Sequence, residues 1–323
     1  MRTGKYAAAA AALVALAGFA WVRYAPRAVA IERRADQNIL LITLNSTRAD
    51  ALGSYGGQAR TPNLDQLAAH GLRFDLAHAH AGLTRPSHAS ILTGLYPDEH
   101  GVRDDSASRL KTGTPTVATI LKQHGFATGA FVGSTAVRRG FGLDAGFDVY
   151  DDRFGGTGDR SESSPLERPA GAVIAPAMTW IRAQPGRWFA WVHLFDPHAP
   201  YEPPPPFDRE YARKPYLGEV AYVDQALRPL LDTVRGDSRP TLVLVTSDHG
   251  EGLGDRGEST HGSFAEESTL QVPLIIAQLP DRKSTGVVSH VPARHIDVLP
   301  TLLDAVGVQA PSGLQGRSLL TDR

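Results

Sequence analysis

The stretch Asn38–Gly71, NILLITLNSTRADALGSYGGQARTPNLDQLAAHG, decides how this chain is built. Its opening NILLITL is a short, almost unbroken apolar run, the pattern of a strand buried on both faces. TPNLDQLAAHG then carries helix punctuation: Thr61 as N-cap, Pro62 at the first position, Asp65 in the first turn, Gly71 as the stop. The alternation continues. TPTVATILKQHG (Thr114–Gly125) predicts a second helix with the same punctuation, and FATGAFVG (Phe126–Gly133) a strand after it. RWFAWVHLF, TLVLVTS and VPLIIA are further strand candidates. LGEVAYVDQALRPLLDTV and HIDVLPTLLDAVG are helix candidates, the second bent or restarted at Pro300. Strand and helix in alternation predict an α/β fold: a mostly parallel central sheet with helices on both faces. DDRFGGTGDRSESSPLERPAG (Asp151–Gly171) is too polar and Gly/Ser-rich to join that pattern and reads as loop. DPHAPYEPPPPF (Asp196–Phe207) is Pro-rich and predicts a stiff loop over a surface.

Of 323 residues, 42% are hydrophobic, enough for one large domain or two small ones. Basic residues number 33 and acidic ones 34, a balance that gives no electrostatic footprint for nucleic acid. There is no cysteine, which excludes disulfides and thiolate metal sites. At the N-terminus, Arg2 and Lys5 precede an apolar run from Ala7 to Val22, followed by Arg23 and Arg27. That is the layout of an export signal, and Ala28-Val29-Ala30 resembles a cleavage site. Residues 1–30 are therefore expected to be a signal peptide or an inner-membrane anchor, and 38–323 a catalytic domain. A periplasmic product and one tethered to the membrane both stay open.

Ligands of open parallel sheets bind beyond the carboxyl ends of the strands. Asn45, His193, and Asp248 with His249 all stand at such ends. Each alone reads equally as a turn residue or cap. Thr84 lies at or just before the N-cap of a helix in TRPSHASILTG, since Pro86 suits a first turn. As a cap it would serve structure only. Beside a metal ion, at the positive end of a helix, its hydroxyl could instead attack a phosphoryl or sulfuryl centre. The spacing admits both.

NILLITLNSTRADALGSYG, TPNLDQLAAHGLRF, TRPSHASILTGLYPDEHGV, FGLDAGFDVYDD, HLFDPHAPYEPP, TSDHGEGLGDRGE and HIDVLPTLLDAVGVQAPSGLQGRSLL follow one another along the chain. In that order they resemble the landmarks of bacterial sulfatase-like proteins of the alkaline phosphatase superfamily. The resemblance implies an alkaline phosphatase-like sandwich holding one divalent metal ion at the sheet edge. It implies a nucleophile motif, Thr84-Arg85-Pro86-Ser87-His88, and metal ligands Asn45, Thr84, Asp248 and His249. His193, His198 and His261 fall where the family has histidines or basic groups that contact substrate or leaving group. Asp105 and Arg256 fall where relatives carry Asn and His near the substrate. Ser87 and His88 are expected to shape the helix start, and Arg48 with Asp50 to form a structural pair.

Several positions depart from that pattern. Sulfatases convert Cys or Ser into formylglycine, and Thr would give a ketone, so Thr84 disfavours formylglycine chemistry. Threonine nucleophiles in the superfamily imply phosphoryl transfer, hence a phosphoester, phosphodiester or phosphonate before a sulfate ester. Asn45 stands where Asp is usual, a neutral and weaker ligand for a hard cation. Asp105 could restore the missing negative charge near the metal. Arg256 could grip an oxyanion in a forked geometry or face solvent. The longer C-terminal subdomain that many sulfatases carry is expected to be short or absent here. A second metal on Asp196, His198 and His261 is a variant reading. The rival from another class is a pseudoenzyme that binds a glycan, a lipid head group or a protein. The expected substrate is a small-molecule, glycan or lipid head-group ester.

Overall fold

The computed structural model describes residues 27–28, 31–154, 167–281 and 284–320. The expected export segment, 1–30, lies outside the described residues except for Arg27–Ala28, a two-residue strand paired with Ser284–Thr285. No helix among the described residues is long and apolar enough to cross a membrane. Residues 155–166 of the predicted polar loop are likewise outside.

Eight strands form the central sheet: β1 Asn38–Leu44, β2 Leu72–Phe74, β3 Ala127–Val132, β4 Val149–Asp151, β5 Trp188–Leu194, β6 Thr241–Ser247, β7 Leu274–Leu279 and β8 Val287–Ser289. Their spatial order is β8-β2-β7-β6-β1-β5-β3-β4. All neighbours run parallel except β7, which is antiparallel to both β6 and β2. Along β1 the side chains alternate between two separate cores. Ile39 and Leu41 pack with helices α2 (Thr84–Thr93), α3 (Val117–Gln123) and α6 (Val298–Ala305). Leu40, Ile42 and Leu44 pack with α1 (Pro62–His70), α4 (Ala170–Arg182) and α5 (Pro215–Arg235). Both faces are thus covered, which is why NILLITL shows no polar alternation. Each Leu or Ile so buried contributes about 1.5–3 kcal/mol.

Three helix starts are held by carboxylates distant in sequence. Asp224 on α5 accepts the amides of Asn63 and Leu64 at α1, at 3.2 and 2.8 Å. Asp105 accepts those of Thr84 and Arg85 at α2, at 3.2 and 2.6 Å. Asp196 accepts that of Ala170 at α4, at 2.9 Å. Thr61, the expected cap of α1, instead uses its hydroxyl on Gly53 N and Asp65. The second predicted helix begins after Thr116, whose hydroxyl accepts Thr119 N at 3.1 Å, not at Thr114. The restart expected at Pro300 falls two residues earlier: a 3-10 turn, His295–Asp297, leads into α6, and Pro300 sits in its first turn, where no amide bond is forfeited.

Candidate active site

β1 and β6 are adjacent and in register, Leu44 facing Ser247, so Asn45 and Asp248 leave the sheet side by side. His193 lies opposite Thr43 on β5. Ser46 adopts a left-handed φ of 46°, uncommon for a residue with a Cβ. Its amide meets Asp248 Oδ1 at 3.0 Å, and its carbonyl accepts the Tyr216 hydroxyl at 2.9 Å. The backbone strain is thus held in place by a clasp from α5, and it aims one carboxylate oxygen away from the site.

Thr84 opens α2 at its first position, with Leu83 as N-cap, so the capping role open to Thr84 is filled by Asp105. Its hydroxyl turns instead to Asn45 Oδ1 at 3.3 Å and to His249 Nε2 at 3.5 Å. His249 Nδ1 sits 2.8 Å from the Gly250 carbonyl, which can only accept, so the proton is on Nδ1 and Nε2 presents its lone pair. A Cβ on Gly250 would meet Ser268 O at 2.1 Å, so this turn requires glycine. Asp248 Oδ2 is 3.5 Å from His249 Nε2 and, among the described residues, has no hydrogen-bond partner although fully buried. Ligand separations of 3.3–3.5 Å are those of neighbours on one cation with bonds of about 2.0–2.6 Å. The orphaned Asp248 oxygen and the free His249 lone pair fit a divalent ion held with Asn45 and Thr84.

His88, His193 and Asp248 also place potential ligand atoms within 4.8 Å of one another. Hydrogen bonding argues against them as a separate ligand set. His88 Nδ1 donates to Thr84 O at 2.7 Å, and Nε2 accepts from the Thr43 hydroxyl at 3.0 Å, which itself accepts from Trp191 Nε1. His193 Nδ1 accepts from Gly133 N at 3.3 Å, so its Nε2 carries a proton. That N–H is a buried donor with no acceptor among the described residues, suited to an oxyanion and not to a cation.

His261 stacks 4.3 Å from the His249 ring and holds Glu251 Oε1 through Nδ1 at 3.1 Å. His198 stacks on Phe195 at 4.3 Å and stands edge-on to His261 at 5.9 Å. Asp196 is committed to capping α4 and forms no ligand group with His198 and His261 among the described residues. Arg256 is not brought in: its side chain is 76% exposed and paired with Glu266 at 3.2 Å, so the solvent reading holds and the oxyanion one does not. Asp105 accepts two amides at the start of α2, so it is not unpaired, and its negative charge acts on both His249 and His261. Arg48 and Asp50 form the expected bidentate pair, 2.8 Å in both bonds.

Burial pushes His249 down to about 3, helped by the charge of His261, so its ring is neutral and ligating at ordinary pH. Burial raises Asp248, only partly offset by His88 and by its two amide donors. Burial also disfavours charge on His261, but Glu251 with its hydrogen bond and charge wins, and the pKa lies above the usual value. Two neighbouring rings, tilted 40° to each other, are thus pushed in opposite directions.

A model of the family described as Sulfatase matches residues 37–308. The chain belongs to the sulfatase family. This sulfatase-family chain is 25% identical over 393 aligned positions to the N-acetylglucosamine-6-O-sulfatase of Bacteroides thetaiotaomicron, covering 87% of itself and 70% of that protein. Its fold matches an enzyme solved in complex with its substrate D-glucosamine-2-N,6-O-disulfate, with TM-score 0.73 and 21% identity over 88% of this chain and 80% of the other. It matches the phosphonate monoester hydrolase of Agrobacterium radiobacter with TM-score 0.72 and 21% identity, over 88% and 76%.

Sequence reasoning missed Glu251 and Glu219, and it named Arg85 within the motif without giving it a role. Glu251 follows the Asp248-His249-Gly250 turn directly, and its acidity within a strand-end loop was a usable signal. Buried Arg85 ties α2 to its surroundings through Ala136 O at 2.8 Å and Asp105 O at 2.6 Å, its guanidinium 3.4 Å above the Phe141 ring. Glu219 accepts the amides of His198 and Glu202, at 2.9 and 2.7 Å, and so fixes the strap that carries His198. No sequence signal marks either, because their partners are backbone groups far along the chain.

Proposed function

We propose that this sulfatase-family hydrolase cleaves phosphorus esters, whether phosphoester, phosphodiester or phosphonate, in preference to sulfate esters, with Thr84 as nucleophile. The observation that carries the reading is the Thr84 hydroxyl itself, released from capping by Asp105 and turned into the Asn45–His249 group. A divalent ion on Asn45, Thr84, Asp248 and His249 would supply Lewis-acid charge that lowers the pKa of that hydroxyl. Thr84 Oγ1, its proton given up to solvent, attacks phosphorus, the bond from phosphorus to the ester oxygen breaks, and the departing alcohol takes a proton from His261 or His198. His193 Nε2–H donates to a non-bridging oxygen as charge builds there. Water then splits the phosphorylated or phosphonylated threonine, releasing phosphate from a monoester, a phosphate monoester from a diester or a phosphonate from its ester, and restoring the hydroxyl. The relatives are named for sulfate and phosphonate esters alike, so the preference rests on Thr84, whose oxidation would give a ketone and not formylglycine.

The test is turnover of nitrophenyl phosphate, bis-nitrophenyl phosphate, a nitrophenyl phosphonate and nitrophenyl sulfate in the presence of added divalent metal. The expected order puts at least one phosphorus ester above the sulfate, and Thr84→Ala lowers kcat on it by about 10³-fold or more. Sulfate turned over fastest, or activity indifferent to Thr84→Ala, overturns the reading. We also propose export: the Arg2/Lys5, Ala7–Val22 and Arg23/Arg27 layout supports a periplasmic enzyme or one anchored in the inner membrane. Recovery of the expressed chain in the cytosolic fraction would contradict it.

A further inference from the structure

The segments that carry His198 and His261 continue into the wall of a cleft of about 960 Å³. Tyr201, on the His198 strap, lines it, as does Ser259, just before His261. Arg48 lines it as well and donates to the Glu251 carbonyl at 3.2 Å, directly behind the Glu251–His261 pair. The cleft therefore adjoins the side of the centre where the leaving group departs. Its size suits a ring-sized group.

Backbone strain points to the same place. Among the described residues, four non-glycine positions have left-handed φ: Ser46, Tyr201, Leu253 and Arg256. Ser46 adjoins Asn45 and donates its amide to Asp248, and Tyr201 (54°) and Leu253 (52°) both line the cleft. Such strain persists where the surroundings hold it, and it gathers at binding sites.

The charges have a definite arrangement. Arg48 takes up both acids of the cleft, Asp50 in a bidentate pair at 2.8 Å and Asp255 at 2.7 Å. Arg213 has no ion-pair or hydrogen-bond partner among the described residues, and Lys214 meets only the neutral side-chain amide of Gln58. Two cations are thus left without a counter-charge. Leu253, Leu217 and Pro215 add apolar surface, and the outer oxygens of Asp50 and Asp255 can accept hydroxyl groups.

We propose that this cleft receives the alcohol portion of the substrate and selects a ring-shaped leaving group bearing its own negative charge, neutralised by Arg213 and Lys214. This rests on reading the His198–His261 side of the centre as the leaving-group side. The probes are 4-methylphenyl phosphate and 4-(carboxymethyl)phenyl phosphate, whose methylene insulates the phenol from the carboxylate. Two exposed charge contacts are expected to favour the carboxylate substrate about fivefold or more in kcat/KM. That ratio is expected to collapse towards one in the Arg213→Ala/Lys214→Ala variant. Equal kcat/KM in the wild type, or a preference that survives the double substitution, overturns the proposal. Calorimetric titration of the Thr84→Ala chain with 4-hydroxyphenylacetate against 4-methylphenol tests the cleft without turnover. Tighter binding of the carboxylate that depends on Arg213 and Lys214 supports the cleft even if neither ester is hydrolysed, an outcome that would sink only the assigned reaction. No difference between the two phenols sinks the cleft even if both esters are turned over.

Discussion

Asn45 offers a cation an uncharged oxygen where a carboxylate would add a full negative charge, and the structure leaves that oxygen 3.3 Å from the Thr84 hydroxyl. Asn45→Asp is therefore expected to tighten divalent-metal binding by about tenfold or more, read by competition with a fluorescent chelator. Unchanged affinity would remove Asn45 from the ligand set. Asp105 holds the amides opening α2 with both its oxygens, and its charge reaches His249 and His261 from there. Asp105→Asn leaves one of those amides facing an NH₂ group, at a cost of about 1–3 kcal/mol in urea unfolding. The two substitutions are expected to act additively. A coupling above about 0.5 kcal/mol would revive the idea that amide and carboxylate have exchanged places. At this scale the residues placed Asp248 and His249 at a strand end and Thr84 at a helix start, while grouping them as one site rested on the family resemblance. The capping alternative for Thr84 was not excluded, because Asp105 lies beyond any local capping rule.

The strap from Asp196 to Glu202 forms no regular element, yet it is fixed at two amides by one carboxylate from α5. The His198 carbonyl also accepts Tyr201 N at 3.0 Å, closing a turn between those anchors. Glu219→Gln keeps the shape but replaces one acceptor by a donor, so one anchor is lost and His198 is less well aimed. The loss should fall most heavily on esters with poor leaving groups, about tenfold for an alkyl phosphate, and least on nitrophenyl phosphate, which needs little protonation. An equal loss on both would show that Glu219 supports the fold alone. The Pro-rich composition announced this strap, but nothing in the sequence announced its anchor. The same physics limited the helix starts. α1, α2 and α4 are capped across the fold by Asp224, Asp105 and Asp196, whereas α3, capped by Thr116 itself, follows the local rule.

Over the whole molecule, the sheet was legible because strands covered on both faces must be apolar throughout, and Ile39–Leu44 is divided between two cores. The antiparallel sense of β7 was not, since VPLIIA reads the same in either direction. Stability should depend on pH in a way set by buried groups. His80, His88, His100, His193, His249 and His295 are all pushed down by burial from a usual value of 6.5. Below about 6.5 the unfolded chain therefore binds more protons, and the metal-free protein loses about 1.4 kcal/mol per excess proton per pH unit. Burial raises Asp196 and Asp224 to about 6, Glu219 to about 8 and Asp248 as well, and Glu251 raises His261 against its burial; these five oppose the slope of the six histidines without cancelling it. Urea midpoints should peak near pH 6.5, fall steeply towards pH 4 and fall gently towards pH 8; a midpoint still rising at pH 8 would contradict these assignments. The account stands on residues from four distant segments meeting so that one threonine oxygen becomes the attacking atom. Its most direct test is acid quenching of the metal-loaded enzyme during turnover of a phosphorus ester, followed by peptide mass analysis. The account predicts one phosphoryl or phosphonyl group on the peptide and residue of Thr84, absent in Thr84→Ala. Steady turnover with that group on another residue would contradict it.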